Sequence, residues 1–413
     1  MNKKCMDLRL IDKLFLLFTF FVNEDILLFG TINNNFFVNL RFAIQIILVA
    51  VLFIYTITNR IPVNKKRLNI YILFLIIILS SMFINRDFRS GYFYLLIIYL
   101  TCFLLTSLYS FDQIYSIFSK SMVIISAVSN IGFLIQLLIP SLLNCFPIID
   151  NVNYHHFYFL GLTNVSFKYD SFIRNWGPFR EPGVFQAFII IAIIYCLFRN
   201  KKVNLFEIII LSLALITTFS TTGYIAFLLI LLACLSSNKN SMNKEQVRII
   251  YMVLILAIFG LIYMTFFTDL MYKQGYGSVF GKLFGAYESD SYSARKLSFL
   301  VNIRIFFENI ICGKGITYVD TMFKYYAQHY YGILVNDNTN MLFIQLAKYG
   351  LPMFIYTIIR YCKTLSHAYN NGAFSKVIIV LSYFILMFGE NLSYSVLINL
   401  PMFFIASDFY YKN

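Results

Sequence analysis

Residues 68–84 read LNIYILFLIIILSSMFI and carry no charged side chain. Apolar stretches of this kind, bounded by polar clusters, recur along the whole chain of 413 residues. The chain is 60% hydrophobic and 13% charged, whereas soluble domains are about 45–50% apolar and about 25% charged. This composition excludes a soluble enzyme, a disordered chain and a disulfide-rich scaffold, and it indicates a polytopic membrane protein.

The apolar runs predict about twelve membrane-spanning helices, since about 20 residues are needed to cross a bilayer. We therefore expect an all-α helical bundle that forms one integral membrane domain over residues 1–413. The predicted spans cover residues 14–32, 40–58, 68–84, 91–109, 117–143, 183–199, 203–219, 222–236, 249–268, 341–360, 377–391 and 395–411. The first of them is interrupted by Asn23, Glu24 and Asp25.

The distribution of basic residues predicts the orientation in the membrane. The formal net charge of +14 comes from 33 Lys and Arg against 19 Asp and Glu. Lys and Arg collect on cytoplasmic loops of membrane proteins. When both termini are placed in the cytoplasm, basic residues such as Arg60, Lys65 and Lys202 fall on cytoplasmic segments at every turn, and the short external links carry few. The orientation in the membrane therefore explains the excess of Lys and Arg, and no nucleic acid partner is needed to explain it.

Two predicted external segments, residues 144–182 and 269–340, are much longer than the other connections. Both hold basic residues, among them Arg174, Arg180 and Arg295, although the outer side normally needs little positive charge. Long loops carry function more often than short connections do. The larger segment, 269–340, is expected to contain amphipathic helices, and we expect the chemistry of this protein on its external face.

The cysteines and histidines predict no metal site. The seven cysteines contain no C-x-x-C pair, and the four histidines are scattered along the chain, so the ligand spacing of a zinc site is missing. Cys145 and Cys312 fall in the predicted external segments, where a disulfide between them can form.

The stretch NWGPFREPGVF at residues 175–185 runs directly into the sixth predicted span. Pro182 suits the first helical turn, where its missing N–H costs nothing. The unsatisfied N–H groups of that turn and the positive end of the helix dipole would then face the outside. Arg180 adds a planar guanidinium suited to two phosphate oxygens, so the stretch predicts an anion site. In the alternative interpretation Glu181 caps the helix and pairs with Arg180 or Arg174.

The stretch SARKLSFLVNIR at residues 293–304 has the spacing of an amphipathic helix. One apolar stripe comprises Leu297, Leu300, Val301 and Ile305. Another face comprises Arg295, Ser298 and Asn302. The pattern predicts a helix at the membrane surface with its polar face turned to an aqueous cleft. The alternative is an interfacial helix whose basic side chains contact only lipid headgroups.

Candidate acid–base residues follow in the large external segment. The stretch NDNTN at residues 336–340 places Asp337 just before a predicted span, where its carboxylate can act as a general base, although a turn or a cap explains it equally well. His329 is the alternative base, and Asn338 is a supporting residue. Glu390, near the outer end of the eleventh predicted span, is a further supporting residue, since an ionisable group within a span is a candidate site residue by default.

These elements, in this order, resemble the Wzy-type O-antigen polymerases within the wider O-antigen ligase/polymerase superfamily. The similarity rests on GPFREPG at residues 177–183, STTGY at 220–224, the Arg295 helix, GKG at 313–315, YGL at 349–351 and ENL at 390–392. It extends over about residues 175–400.

The resemblance implies a GT-C-like bundle and a metal-independent, inverting glycosyltransferase without a cofactor. Such enzymes transfer a growing glycan from undecaprenyl pyrophosphate to the terminal sugar of another lipid-linked repeat unit, on the periplasmic face of the bacterial inner membrane. Arg180 and Arg295 match the two family arginines and are therefore expected to bind pyrophosphate, supported by Arg174 and Glu181. The implied partners are the undecaprenyl-pyrophosphate-linked oligosaccharide, membrane lipids and a polysaccharide chain-length regulator.

Two alternatives stay open beside the polymerase. One is an O-antigen ligase of the same superfamily, whose members place a histidine near the start of the span after the large loop; this sequence has DNTN at residues 337–340 there, which leaves the identity of the base open. The other is a lipid-linked oligosaccharide flippase or another transporter. Transporters usually need polar groups or broken helices near the midplane, and polar groups are scarce in these spans.

Overall fold

The computed structural model describes residues 9–30, 35–146, 148–150, 154–159, 162–167, 174–199, 204–236, 290–335, 338–369 and 372–409. Over these residues the chain is a bundle of α-helices with one small antiparallel sheet. The helical bundle that the sequence predicts is thus confirmed.

The helices before the sheet are α1 (Leu10–Phe21), α2 (Leu27–Gly30), α3 (Asn35–Thr58), α4 (Lys65–Ile84), α5 (Ser90–Leu108) and α6 (Phe111–Leu138). Those after the sheet are α7 (Pro182–Phe198), α8 (Leu205–Thr217), α9 (Thr221–Ser236), α10 (Asp290–Glu308), α11 (Gly315–Tyr331), α12 (Met341–Tyr349), α13 (Leu351–Ala368), α14 (Ala373–Gly389) and α15 (Val396–Asn399). Short 3-10 helices cover Pro140–Cys145, Leu400–Phe403 and Ala406–Asp408.

The sheet lies in the first segment predicted to be external. Its strands are β1 (Ile148–Asp150), β2 (Tyr154–Phe159) and β3 (Leu162–Phe167), which pair antiparallel in the order β1-β2-β3. In the register of the second pair, Tyr154 lies opposite Phe167 and Phe159 opposite Leu162. The sequence did not predict this sheet, although aromatic residues such as those of β2 favour β-strands.

Among the described residues, four helices are long and apolar enough to cross a membrane: α3 over Asn39–Thr58, α4, α5 and α6. The helices α7, α8, α9 and α14 are apolar but shorter. The outer surface of α3 exposes apolar side chains such as Ile47 and Ile54, which suits lipid contact. These helices indicate a membrane protein. The count of twelve spans stays a prediction, and its ninth span, 249–268, lies outside the described residues.

Among the described residues, four of the predicted spans are not single α-helices; the fifth passes from α6 into the 3-10 helix Pro140–Cys145. The first is broken between α1 and α2, where Asn23 and Asp25 are buried and the Asn23 side chain accepts from the Asp25 N–H at 2.8 Å. The tenth is broken at Gly350, whose φ of +82° separates α12 from α13. The last consists of α15 and 3-10 turns, because Pro401 has no N–H to continue an α-helix.

Helix α7 is the central helix of the bundle. All of its side chains are buried, and it packs against α6, α8, α9 and α14. A helix that is hydrophobic all round is one that other elements enclose. This packing brings the segment before α7, the turn between α8 and α9 and the end of α14 to the same end of the bundle.

Candidate functional site

The segment before α7 is held in place by Asn175. Its N–H donates to the main-chain oxygen of Thr217 at 2.9 Å, and its Nδ2 donates to the Thr217 hydroxyl at 3.0 Å. Its own Oδ1 accepts from the N–H of Gly177 at 3.1 Å. Gly177 has a φ of +52°, in the left-handed region that favours glycine. The turn that leads into α7 is therefore fixed by one buried amide side chain.

The same segment pairs with the turn between α1 and α2. Ile26 and Phe179 form an antiparallel bridge, and the Arg180 N–H donates to the main-chain oxygen of Asp25 at 2.9 Å. These contacts place Glu24 and Asp25 near Arg180. The polar residues that interrupt the first predicted span therefore contribute to this end of the bundle.

A small cleft of about 70 Å³ lies at the start of α7. It is lined by Arg174, Glu181, Pro182, Gly183, Phe219, Ser220, Thr221, Arg295 and Glu390. Arg174, Glu181, Arg295 and Glu390 are all residues that the sequence analysis selects. The structure thus brings together residues from the two segments that were predicted to be external and from the end of α14.

Arg174 is fixed in the wall of the cleft by main-chain oxygens of the α8–α9 turn. Its Nε donates to Thr218 at 2.9 Å and its Nη2 to Phe219 at 3.2 Å. Burial and the neighbouring Arg295 lower the pKa of Arg174 to about 10. The guanidinium therefore keeps its positive charge at neutral pH while its position is set by two hydrogen bonds.

Arg295 reaches the cleft from the first turns of α10. Its Nε donates to the main-chain oxygen of Gly389 at 3.3 Å, and its Nη2 lies 3.5 Å from Oε1 of Glu390. The sequence predicts the apolar stripe of α10 but places it at the membrane surface; in the structure the stripe packs against α11, with Leu297 and Val301 buried. This packing directs the Arg295 side chain toward the end of α14.

The remainder of the predicted polar face of α10 does not open onto the cleft. Ser298 and Asn302 are fully buried. Asn302 exchanges two hydrogen bonds with Asn338, at 2.8 and 3.1 Å, and Ser298 accepts from the Thr339 N–H at 3.0 Å. Asn338 therefore attaches the chain before α12 to α10, and only the Arg295 end of this face lines the site.

Glu181 stands at the N-cap position of α7 but does not cap it. Its side chain accepts no capping hydrogen bond and is exposed at the mouth of the cleft. Within the described part of the chain it forms no ion pair with Arg174 or Arg180. The interpretation of Glu181 as a helix cap is therefore wrong, because its carboxylate accepts no hydrogen bond from the N–H groups of the first turn of α7.

Arg180 lies beside the cleft rather than in its lining. Its Nη2 donates to the main-chain oxygen of Asn391 at 2.6 Å. Burial alone would lower the pKa of Arg180, but the neighbouring Glu24, Glu181 and Asp25 outweigh this effect and raise it. Arg180 thus contributes a buried positive charge behind the wall, whereas Arg295 faces the open space.

The structure describes only one of the two predicted bases. Asp337 lies outside the described residues. His329 is exposed on the last turn of α11 and stacks on Tyr325, with ring centroids 5.4 Å apart and planes 7° apart. His329 does not line the cleft. The acidic side chains that line it are those of Glu181 and Glu390.

The sequence analysis missed the contribution of the α8–α9 turn. Phe219, Ser220 and Thr221 line the cleft. Below them, the Thr222 hydroxyl and the Gln186 amide are buried without a hydrogen-bond partner, as is the hydroxyl of Ser220. The STTGY stretch was the available signal, because a cluster of hydroxyl groups between two apolar runs is unusual in a membrane protein.

Cys145 and Cys312 are free thiols, so the disulfide is not formed. Among the residues that the structure describes, no group of three His, Cys, Asp or Glu side chains could hold a metal ion.

The arrangement suits an anionic ligand with several oxygens. Two guanidinium groups line one side of the cleft, a third lies behind it, and the first turn of α7 faces it. Fixed guanidinium groups bind phosphate oxygens through paired, charge-assisted hydrogen bonds, and a helix N-terminus adds to the attraction. No protein-family model matches this chain, and a search of curated proteins finds no match either.

Proposed function

We propose that this chain is a polysaccharide polymerase of the Wzy type. In this proposal it is a metal-independent, inverting glycosyltransferase that moves a growing glycan from undecaprenyl pyrophosphate to the terminal sugar of another lipid-linked repeat unit. The observation that carries the proposal is the cleft in which Arg174 and Arg295 meet the first turn of α7. The proposal includes a GT-C-like bundle of about twelve spans, with both termini in the cytoplasm and the cleft on the periplasmic face of the bacterial inner membrane.

The chemistry needs a site that stabilises a departing diphosphate. The acceptor hydroxyl attacks the anomeric carbon as the bond from that carbon to the phosphate oxygen breaks, which inverts the configuration. Negative charge develops on the leaving diphosphate, and preoriented donors stabilise such charge most effectively. Arg174, held by Thr218 and Phe219, and Arg295, held by Gly389, are preoriented in this sense.

The proton of the acceptor hydroxyl must pass to a base. Asp337 keeps this role in the proposal, with His329 as the alternative. Because diphosphate is a good leaving group, correct positioning of donor and acceptor supplies a large part of the rate. The apolar helices around the cleft allow the isoprenoid chain of the donor to lie in the bilayer, and a chain-length regulator is the proposed protein partner.

The test is the glycan length ladder of a deletion strain complemented with variants of this protein. We expect wild type to restore the ladder, and Arg174→Ala, Arg180→Ala and Arg295→Ala to insert normally but leave single-repeat glycans on the lipid. Lys296→Ala is the matched control, because Lys296 is the exposed neighbour of Arg295 on α10. A full ladder from Arg295→Ala at normal protein level would refute the proposal.

The same strain separates the two alternatives. If the protein were a ligase, polymer would still form in the deletion strain but would not reach its final acceptor. If it were a flippase, repeat units would accumulate on the cytoplasmic leaflet.

A further inference from the structure

The carboxylate of Glu390 occupies the position at the start of α7 that suits an anion. A Cβ placed on Gly183 would lie 1.7 Å from Oε1 of Glu390 and 2.5 Å from its Cδ. The carboxylate therefore rests against the main chain of the first helical turn, at a position that only glycine allows. Glu390 is 4% exposed and lies just beyond the end of α14.

The surroundings of Glu390 are those of a bound anion. Arg295 pairs with it at 3.5 Å, and the positive end of the α7 dipole faces it. Ser220, in the same cleft, has a buried hydroxyl without a hydrogen-bond partner. Arginine, helix N-terminus and unused hydroxyl are the groups that the proposed diphosphate would need, and a side chain of the protein occupies their centre.

We propose that the Glu390 carboxylate is an internal substitute for a substrate phosphate. When the lipid diphosphate binds, Glu390 takes up one proton and loses its negative charge. The inference rests on the proposed function and concerns the same cleft. Two anions that share Arg295 repel each other, so the carboxylate and a phosphate cannot both keep their charge against α7. Protonation removes the conflict and turns Glu390 into a hydrogen-bond donor to the phosphate.

The charged groups around Glu390 make this proton uptake accessible near neutral pH. Glu181 faces it from the start of α7, Arg174 and Arg180 from the segment before that helix, and Arg295 from α10. Burial and the Glu181 carboxylate raise the pKa of Glu390 to about 7, while the three arginines act in the opposite direction. A phosphate in the cleft would add to the effect of Glu181.

The test measures binding of a short-chain alkyl glycosyl diphosphate to the purified full-length protein in detergent. Both phosphates of this probe carry one substituent, so its charge stays constant over the pH range used. For wild type we expect the affinity to fall by up to about tenfold per pH unit above about pH 7, because each complex needs one proton. Calorimetry in two buffers of different ionisation enthalpy should show uptake of about one proton per probe at about pH 8.

Variants distinguish Glu390 from other carboxylates. Glu390→Gln keeps the shape of the side chain without its charge, so we expect it to bind the probe about tenfold more tightly than wild type at about pH 8, with little pH dependence. Glu308→Gln is the matched control, because Glu308 pairs with Lys314 at 3.2 Å and does not line the cleft. This control should retain the wild-type pH dependence.

The outcomes separate this inference from the proposed function. If wild type binds the probe with the same affinity at all pH values and without proton uptake, Glu390 is not displaced as proposed, while the diphosphate site stands. If folded wild-type protein does not bind the probe at any pH, the proposed function itself fails. The proton count needs only the wild-type protein, so poor folding of Glu390→Gln leaves the test intact.

Discussion

Nε of Arg174 donates to the main-chain oxygen of Thr218 at 2.9 Å, and this bond aligns the guanidinium along the α8–α9 turn. The second bond, from Nη2 to Phe219, uses the other side of the same planar group. The α8–α9 turn thus fixes the orientation of the Arg174 guanidinium in the cleft.

This arrangement predicts that charge alone cannot replace Arg174. Arg174→Lys keeps the positive charge, but its compact ammonium group lacks the planar, rigid set of donors with which the guanidinium contacts both carbonyl oxygens and still faces the cleft. We expect the rate of glycan extension to fall by about a hundredfold, the lower end of the effect of losing one preoriented donor, because the positive charge is kept. The rate is measured with purified protein and lipid-linked repeat units. Arg89→Lys, a half-exposed arginine paired with Asp320, should behave as wild type; equal rates for both variants would contradict the role of Arg174.

A second prediction concerns the contact between Gly183 and Glu390. In Gly183→Ala the new methyl group would overlap the Glu390 carboxylate, so that side chain must leave its place against α7. Overpacking of this kind destabilises a protein by about 1–3 kcal/mol. We expect a lower melting temperature for the single variant and recovery in Gly183→Ala/Glu390→Ala, where the obstructing carboxylate is absent. No recovery in the double variant would mean that the contact is not the cause.

Much of the local structure could be predicted because it depends on neighbours in sequence. The apolar runs predicted α4 and α5 to within three residues, and Pro182 marks the first turn of α7 as expected. The stripe of α10 follows from its helical spacing, and its Leu297 and Val301 are buried. Each of these features is decided by hydrophobicity or by proline geometry within one or two turns.

The parts that could not be predicted depend on contacts between distant segments. Nothing near Asn23 and Asp25 shows that their turn pairs with Phe179, because such pairing is decided by tertiary packing. Arg180 illustrates the same limit: its type and spacing indicate a phosphate ligand, but only the fold shows that it faces Asn391 while Arg174 lines the cleft. In the same way, only the fold shows that the alternative interpretation of Glu181 as a helix cap does not hold.

The final prediction concerns a buried ion pair between two segments that are far apart in the sequence. Nη2 of Arg67 on α4 lies 2.8 and 2.6 Å from the two carboxylate oxygens of Asp408, and the side chains are 4% and 5% exposed. The Arg67 Nη1 also donates to Ser107 at 3.3 Å, so the pair connects α4, α5 and the C-terminal 3-10 turn. Removing one partner leaves the other charge buried and unpaired, which destabilises a protein by about 3–5 kcal/mol.

We therefore expect Asp408→Ala to lower the melting temperature in detergent strongly and to reduce the amount of folded protein in the membrane. The double variant Arg67→Met/Asp408→Leu should recover most of the loss, because an apolar pair of similar volume often replaces a buried ion pair without a penalty. Lys66→Ala, at the exposed neighbouring position, should have no effect. A double variant as unstable as Asp408→Ala would show that the loss comes from the hydrogen bond that the Ile405 N–H donates to Oδ2 of Asp408 at 2.9 Å, which both variants lack, and not from the unpaired charge of Arg67.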